Sequence, residues 1–143
     1  MKDFQHHPEL FLQLIGQTIQ DELFHLFQDE FDSDFIRREM NHSKSSADYE
    51  LLYKEKGIYL SISNEEIRSI KIYLSPNPIC MAYTGQLMNG LSVTTNETQM
   101  VKNPEFQKMK DNDPNRLVNC YIKEHLSIAF DSMTGEILFI EIK

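Results

Sequence analysis

Residues 58–74 have the sequence IYLSISNEEIRSIKIYL, which predicts two antiparallel strands joined by a tight turn. Over residues 58–62, large apolar side chains alternate with other residues, as they do in a strand that buries one face. The polar segment 63–66 forms the predicted turn, and apolar residues recur on one face over residues 67–74. Together with a strand at residues 49–52, these segments predict a three-stranded antiparallel meander.

A second meander is predicted near the end of the chain, with strands over residues 117–123, 125–130 and 136–142. The third strands of both meanders share the pattern Ile-x-x-Ile-x-Ile, which indicates an internal duplication. The alternative is that two unrelated meanders look alike at this level. The other shared positions lie at a constant offset of 68 residues: Tyr53, Ile58, Leu60 and Ile62 correspond to Tyr121, Leu126, Ile128 and Phe130.

Helical signals precede each meander, and the chain is therefore predicted to be α+β. The expected architecture is duplicated helix-β-β-β units, with an antiparallel sheet or sheets and the helices packed on one face. A length of 143 residues suits a single domain spanning residues 1–143. Within that domain, a pseudo-repeat over residues 8–75 is followed by another over residues 83–143.

Three helices are predicted, over residues 8–15, 18–31 and 94–102. Gly16 suits the position after the first helix, because glycine readily adopts the left-handed conformation that ends a helix. The second helix has an apolar stripe at helical spacing, formed by Ile19, Leu23, Leu26, Phe27 and Phe31. The residues expected in the core are Leu23, Phe27, Leu60, Ile70, Ile128, Phe130 and Ile140.

The formal net charge is −8, and acidic residues are concentrated in one segment. Residues 20–39 hold seven acids against Arg37 and Arg38. Such a segment argues against nucleic acid as a direct partner and favours a basic protein instead. The alternative is a merely solvated helix face. The candidate partner-binding acids are Asp21, Glu22, Asp29, Glu30, Asp32 and Asp34.

Motifs that would predict catalysis are missing from the sequence, and neither an enzyme, a cofactor nor a metal site is expected. Cys120 and His125 lie in adjacent predicted strands, where a core position for the cysteine is the better interpretation. The segment containing Asp111 and Asp113 lacks the glycine and closing glutamate of a calcium loop. His6 and His7 lie near the N-terminus, where disorder is expected.

The compartment is predicted from cysteine usage and from the apolar runs. Cys80 and Cys120 are expected to be unpaired thiols, as in most cytosolic proteins. No apolar run approaches the length needed to span a bilayer, and the first residues lack a signal-peptide pattern. A cytoplasmic protein with no membrane partner is therefore expected.

Residues 83–104 carry a pattern of glycines and apolar residues that ends in a proline. The matching positions are Tyr83, Gly85, Leu87, Gly90, Leu91, Thr95, Val101 and Pro104. This pattern resembles one found in small bacterial proteins with a duplicated helix and three-strand layout, many of which accompany secreted toxins as immunity proteins. Such proteins are similar to the superfold of the outer-membrane assembly lipoprotein and the β-lactamase inhibitor protein.

The resemblance implies an immunity protein that binds and neutralises a bacterial toxin, and a basic nuclease-type domain is one candidate for that toxin. The alternatives are a non-enzymatic interaction or scaffold module of the same fold, and an enzyme or small-molecule binder. A second candidate contact surface lies in the segment between the two halves, at Met81, Tyr83 and Met88. The same side chains could instead be core lids between the halves.

Overall fold

The computed structural model describes residues 3–31, 35–39, 48–78, 80–88, 90–109 and 117–143. The helices are α1 (Glu9–Leu14), α2 (Glu22–Phe31) and α3 (Glu97–Val101). The strands are β1 (Ile36–Glu39), β2 (Tyr49–Tyr53), β3 (Ile58–Ser63), β4 (Glu66–Tyr73), β5 (Gln107–Lys108), β6 (Val118–Lys123), β7 (Leu126–Asp131) and β8 (Ile137–Ile142). Within these residues, no helix has the length and apolar character needed to cross a membrane.

All eight strands join one antiparallel sheet in the order β1-β2-β3-β4-β8-β7-β6-β5. The α+β class and the antiparallel sheet are therefore confirmed. The two meanders meet where β4 pairs with β8, and there Ile72 lies opposite Ile140. The short edge strands β1 and β5 are additions that the alternation of apolar residues does not predict, because their side chains are exposed.

The two meanders share a local irregularity in register. It falls between Ser61 and Ile62 in the pairing of β3 with β4, and between Ala129 and Phe130 in the pairing of β7 with β8. These positions are 68 residues apart in the chain. An irregularity of this kind inserts a residue, increases the local twist and changes the face on which the following side chains lie.

Alternate residues of the inner strands form the core, and aromatic side chains from the helices complete it. On α2 the buried residues are Phe24, Phe27 and Phe31, spaced three and four apart as one helix face requires. The ring of Phe27 meets Tyr53 of β2 edge-on, with 5.1 Å between centroids. Packing of all three helices on one face of the sheet stays a prediction.

Six of the seven expected core residues are buried, and Leu23 is the exception. It is only partly buried, because Phe24 occupies the buried position one residue further along α2. The helix begins at Glu22, so Leu23 lies in its first turn and beside the central stripe. The confirmed residues are Phe27, Leu60, Ile70, Ile128, Phe130 and Ile140.

Candidate functional site

The helical segment of the protein, residues 3–31, is strongly acidic. It contains six carboxylate side chains and neither lysine nor arginine. The rest of the chain is nearly balanced, with 16 acids against 14 basic residues. The negative charge is therefore concentrated on the helical segment, where it produces a field that attracts positively charged partners.

Two of the predicted partner-binding acids have structural roles inside this segment. Asp21 Oδ2 accepts a hydrogen bond from the Thr18 backbone N–H at 2.7 Å, just before α2 begins. Glu30 accepts two hydrogen bonds, from the backbone N–H groups of Phe4 at 2.7 Å and Gln5 at 3.0 Å. Both carboxylates are half-buried and satisfy backbone donors. They stabilise the fold more directly than they offer charge to a partner.

The exposed acidic residues of α2 lie on one face of the helix, together with a histidine. Glu22, His25 and Asp29 are all exposed, and their spacing of three and four residues places them on one face of the helix. We call these three residues the acidic stripe. The two other predicted acids, Asp32 and Asp34, lie outside the described residues.

The three residues of the second predicted surface, between the two halves, differ in their exposure. Met81 is 62% exposed, whereas Tyr83 and Met88 are buried core residues. A contact role for Tyr83 and Met88 stays a prediction, although burial leaves little of either side chain at the surface. Both belong to the hydrophobic core cluster, which favours the interpretation of core lids.

The packing of Tyr83 explains why glycine occupies position 85 in the motif. Its ring packs edge-on against Phe11, with 5.9 Å between centroids, and close to Phe31. A Cβ atom on Gly85 would stand 2.1 Å from the Tyr83 hydroxyl, so only glycine fits there. Burial, together with the nearby carboxylate of Glu30, holds the pKa of Tyr83 well above its usual range. The motif therefore has a packing role at this point.

The described residues do not bring candidate metal ligands together. They contain no group of three or more histidine, cysteine or acidic side chains placed to hold a metal ion. Asp111 and Asp113 lie outside them. Cys120 pairs in register with Ala129, in the body of the β6–β7 hairpin, whereas His125 lies in its turn.

The acidic stripe lies on α2, whereas Met81 is an exposed residue of an irregular segment, and both are available at the surface for binding. The stripe supplies two carboxylates over two turns of helix, and these can pair with lysine and arginine side chains. Comparisons with protein-family models, with curated proteins and with solved structures find no match to this chain.

Proposed function

We propose that the protein is an immunity protein, which binds a basic bacterial toxin domain through the acidic stripe and so neutralises it. The single observation that carries the proposal is the charge of the helical segment. Six carboxylates without lysine or arginine lie in residues 3–31, and Glu22 and Asp29 remain exposed on one face of α2. Core packing does not require that distribution, whereas a basic partner would use it.

A nuclease-type toxin is the partner that this charge fits best. Nucleases hold phosphates with lysine and arginine, so their active surfaces are basic. An acidic helix laid across such a surface blocks the substrate, and the attraction between unlike charges speeds the encounter. Asp32 and Asp34 continue the acidic sequence just beyond α2. The proposed cytoplasmic location places the inhibitor where an incoming nuclease would act.

The immunity assignment also rests on the proposed duplication of the chain. The register irregularities 68 residues apart support it. So does a pair of equivalent hydrogen bonds, in which Tyr53 donates to Gln28 of α2 and Tyr121 donates to Glu97 of α3. Each half then joins the first strand of its meander to a helix in the same way, which suits the resemblance to duplicated immunity-type proteins.

The proposal expects a toxin gene beside the gene of this chain, and the test is a kinetic binding measurement with the toxin domain that such a gene encodes. Reversal of charge in the double variant Glu22→Lys, Asp29→Lys should slow association about tenfold or more at low salt, and high salt should reduce the difference. Stability should change little, because exposed charges contribute little to folding. The matched control is Glu124→Lys, Glu136→Lys, which makes the same charge change at two exposed residues, between β6 and β7 and between β7 and β8.

The result is read by comparing the two double variants. Equal slowing in both would mean that net charge, and not the acidic stripe, controls binding. Unchanged association in the stripe variant would move the interface elsewhere, with Met81 as the next residue to test. If no toxin domain binds at all, a general interaction module of the same fold becomes the better interpretation.

A further inference from the structure

The face of the sheet opposite the core carries aromatic residues at its centre. On β4, Ile70 and Ile72 are core residues, so Lys71 and Tyr73 lie on the other face. Phe139 pairs with Tyr73 across the junction of β4 and β8, and therefore shares that face. The two rings stand 6.0 Å apart at an angle of 62°, and both side chains are partly exposed.

A hollow adjoins this aromatic pair. Its volume is about 280 Å³, and it lies between the two rings and the loop that leaves β4. Sites for small-molecule ligands usually occupy about 300–1,000 Å³, so this hollow lies just below that range and suits a single large side chain better than a free ligand. The hollow is lined by Tyr73, Ser75, Pro76, Asn77, Pro78, Leu138 and Phe139.

Lys71 lies against the two rings that line the hollow, and it forms no ion pair within the described residues. Lys71 Nζ lies 4.4 Å from the centroid of Phe139 and 5.8 Å from that of Tyr73. Within the described residues, Lys71 forms no ion pair; Glu141, which lies opposite it in register, pairs with Lys143 at 3.5 Å. An ammonium group held against two rings remains available to a carboxylate from outside.

A second cation on this face, Arg38, is already neutralised. Arg38 forms an ion pair with the buried carboxylate of Glu50 at 2.7 Å, and it also reaches the hydroxyl of Tyr59. Tyr59 lies opposite Lys71 in the pairing of β3 with β4. Tyrosine, phenylalanine and arginine are the side chains enriched at the centres of protein interfaces. The surface therefore combines an apolar hollow with a lysine that forms no ion pair within the described residues.

We propose that this face is a second interaction surface, which binds a partner protein segment carrying a large apolar side chain next to a carboxylate. The apolar side chain enters the hollow between Tyr73, Phe139 and the proline loop. The adjacent carboxylate pairs with Lys71. The surface is independent of the acidic stripe, and its partner chemistry is the opposite one: the stripe attracts basic groups, whereas the hollow with Lys71 selects acidic and apolar ones.

The experiment is a titration of the ¹⁵N-labelled full chain with short blocked peptides, followed by NMR chemical shifts. The main probe is Gly-Asp-Leu-Asp-Gly, and the comparison probes replace leucine with alanine or both aspartates with lysine. We expect saturable shifts at the amides of Tyr73, Asn77 and Phe139. Both comparison peptides should bind about fivefold more weakly or worse, since one lost apolar or ionic contact costs about 1 kcal/mol.

Two variants separate the charge effect from damage to the fold. Lys71→Glu should reverse the preference, so that the lysine peptide binds better than the aspartate peptide. Lys102→Glu makes the same charge change at an exposed residue after α3 and should leave the preference unchanged. Both proteins must keep the wild-type spectrum away from the altered residue.

Several results would overturn the proposal. One is the absence of saturable shifts up to about 10 mM peptide, a concentration that detects millimolar affinity. Another is an unchanged preference in Lys71→Glu. Shifts at the same amides on adding oligo-dT would mark the rings as a base-stacking platform. Shifts that grow with protein concentration alone would assign the face to contact between two copies of this chain.

Discussion

Glu97 joins a helix to the sheet through one carboxylate. It stands in the first turn of α3 and is only 18% exposed. Asn119 donates to both of its oxygens, at 3.0 and 3.1 Å, and the Tyr121 hydroxyl donates to Oε2 at 2.9 Å. A charged acceptor strengthens these bonds, so loss of the carboxylate would leave the buried Tyr121 hydroxyl and the half-buried Asn119 amide without this partner. Glu97 therefore fixes α3 against β6.

The Tyr121 hydroxyl makes this contact dependent on pH. Burial and the hydrogen bond to Glu97 raise its pKa from the ordinary value of 10.0 to about 12. The neutral phenol donates to the carboxylate, whereas a phenolate would be repelled by it. The stabilisation is thus complete below pH 10 and is lost as the pH rises towards 12. Stability should therefore fall over this window more steeply in the wild type than in Tyr121→Phe.

Urea unfolding of both proteins between pH 8 and pH 12 measures this effect. The difference in the free energy of unfolding between wild type and Tyr121→Phe should be constant up to about pH 10 and should shrink above it. A difference that does not change with pH would contradict the raised pKa. The variant serves as the control for the other tyrosines, because they titrate in both proteins.

At the scale of elements, the apolar alternation predicts strands such as β3 and β4, because they bury alternate side chains. The same rule cannot find β1 and β5, whose side chains are exposed and whose pairing depends on a neighbouring strand. It also predicts that Leu23 is buried, whereas Phe24 is the buried residue, because helical spacing fixes the position of an apolar stripe only to within about one residue. Boundaries follow from local signals, whereas edges and the exact rotation of a helix depend on tertiary contacts.

The pairing of β4 with β8 unites the two meanders and provides the prediction at this scale. Ile70 and Ile140 are both fully buried there, in adjacent strands of the core. Substitution of either by alanine should lower the free energy of unfolding by about 2–5 kcal/mol, through lost apolar burial and the cavity left behind. Similar losses are expected, because the two side chains occupy equivalent places in their meanders.

Ile122→Ala is the matched control for these substitutions, since the same side chain on β6 is 36% exposed. Its cost should be about 1 kcal/mol or less, because less apolar surface is removed from the core. Chemical denaturation of the three variants makes the comparison. If Ile70→Ala or Ile140→Ala costs no more than the control, the junction of the two meanders is not where the sheet is held together.

At the scale of the whole molecule, the sequence shows the charge asymmetry, but it does not show which charged side chains are available to a partner. Composition alone marks the helical segment as acidic. It cannot show that the Glu30 carboxylate accepts hydrogen bonds from the backbone N–H groups of Phe4 and Gln5, because those residues are 25 or 26 positions away in the chain. It also misses Lys71, since a lone lysine in a strand has meaning only once its neighbours across the sheet are known. Pairings between distant segments decide which charges remain available.

The redox state of the cysteines tests the compartment proposed for the whole molecule. Cys80 is buried, Cys120 is half-buried, and no disulfide joins them. Burial raises the pKa of the Cys80 thiol, so its reactive thiolate is scarce in the folded protein. Iodoacetamide should therefore modify Cys80 slowly in the native state, at a rate set by opening of the structure. Both cysteines should react once denaturant unfolds the chain without reductant.

Mass spectrometry counts the alkyl groups added to the protein. In the Cys120→Ser variant only Cys80 can be modified, so its rate is measured alone. We expect two added groups on the unfolded wild type and one on the variant, because the chain contains two cysteines. Rapid native modification of Cys80 would contradict its burial. A wild-type chain that takes up no label until reductant is added would carry a disulfide. Stable disulfides persist in oxidising compartments, so that result would also overturn the proposal that the protein meets its toxin in the cytosol.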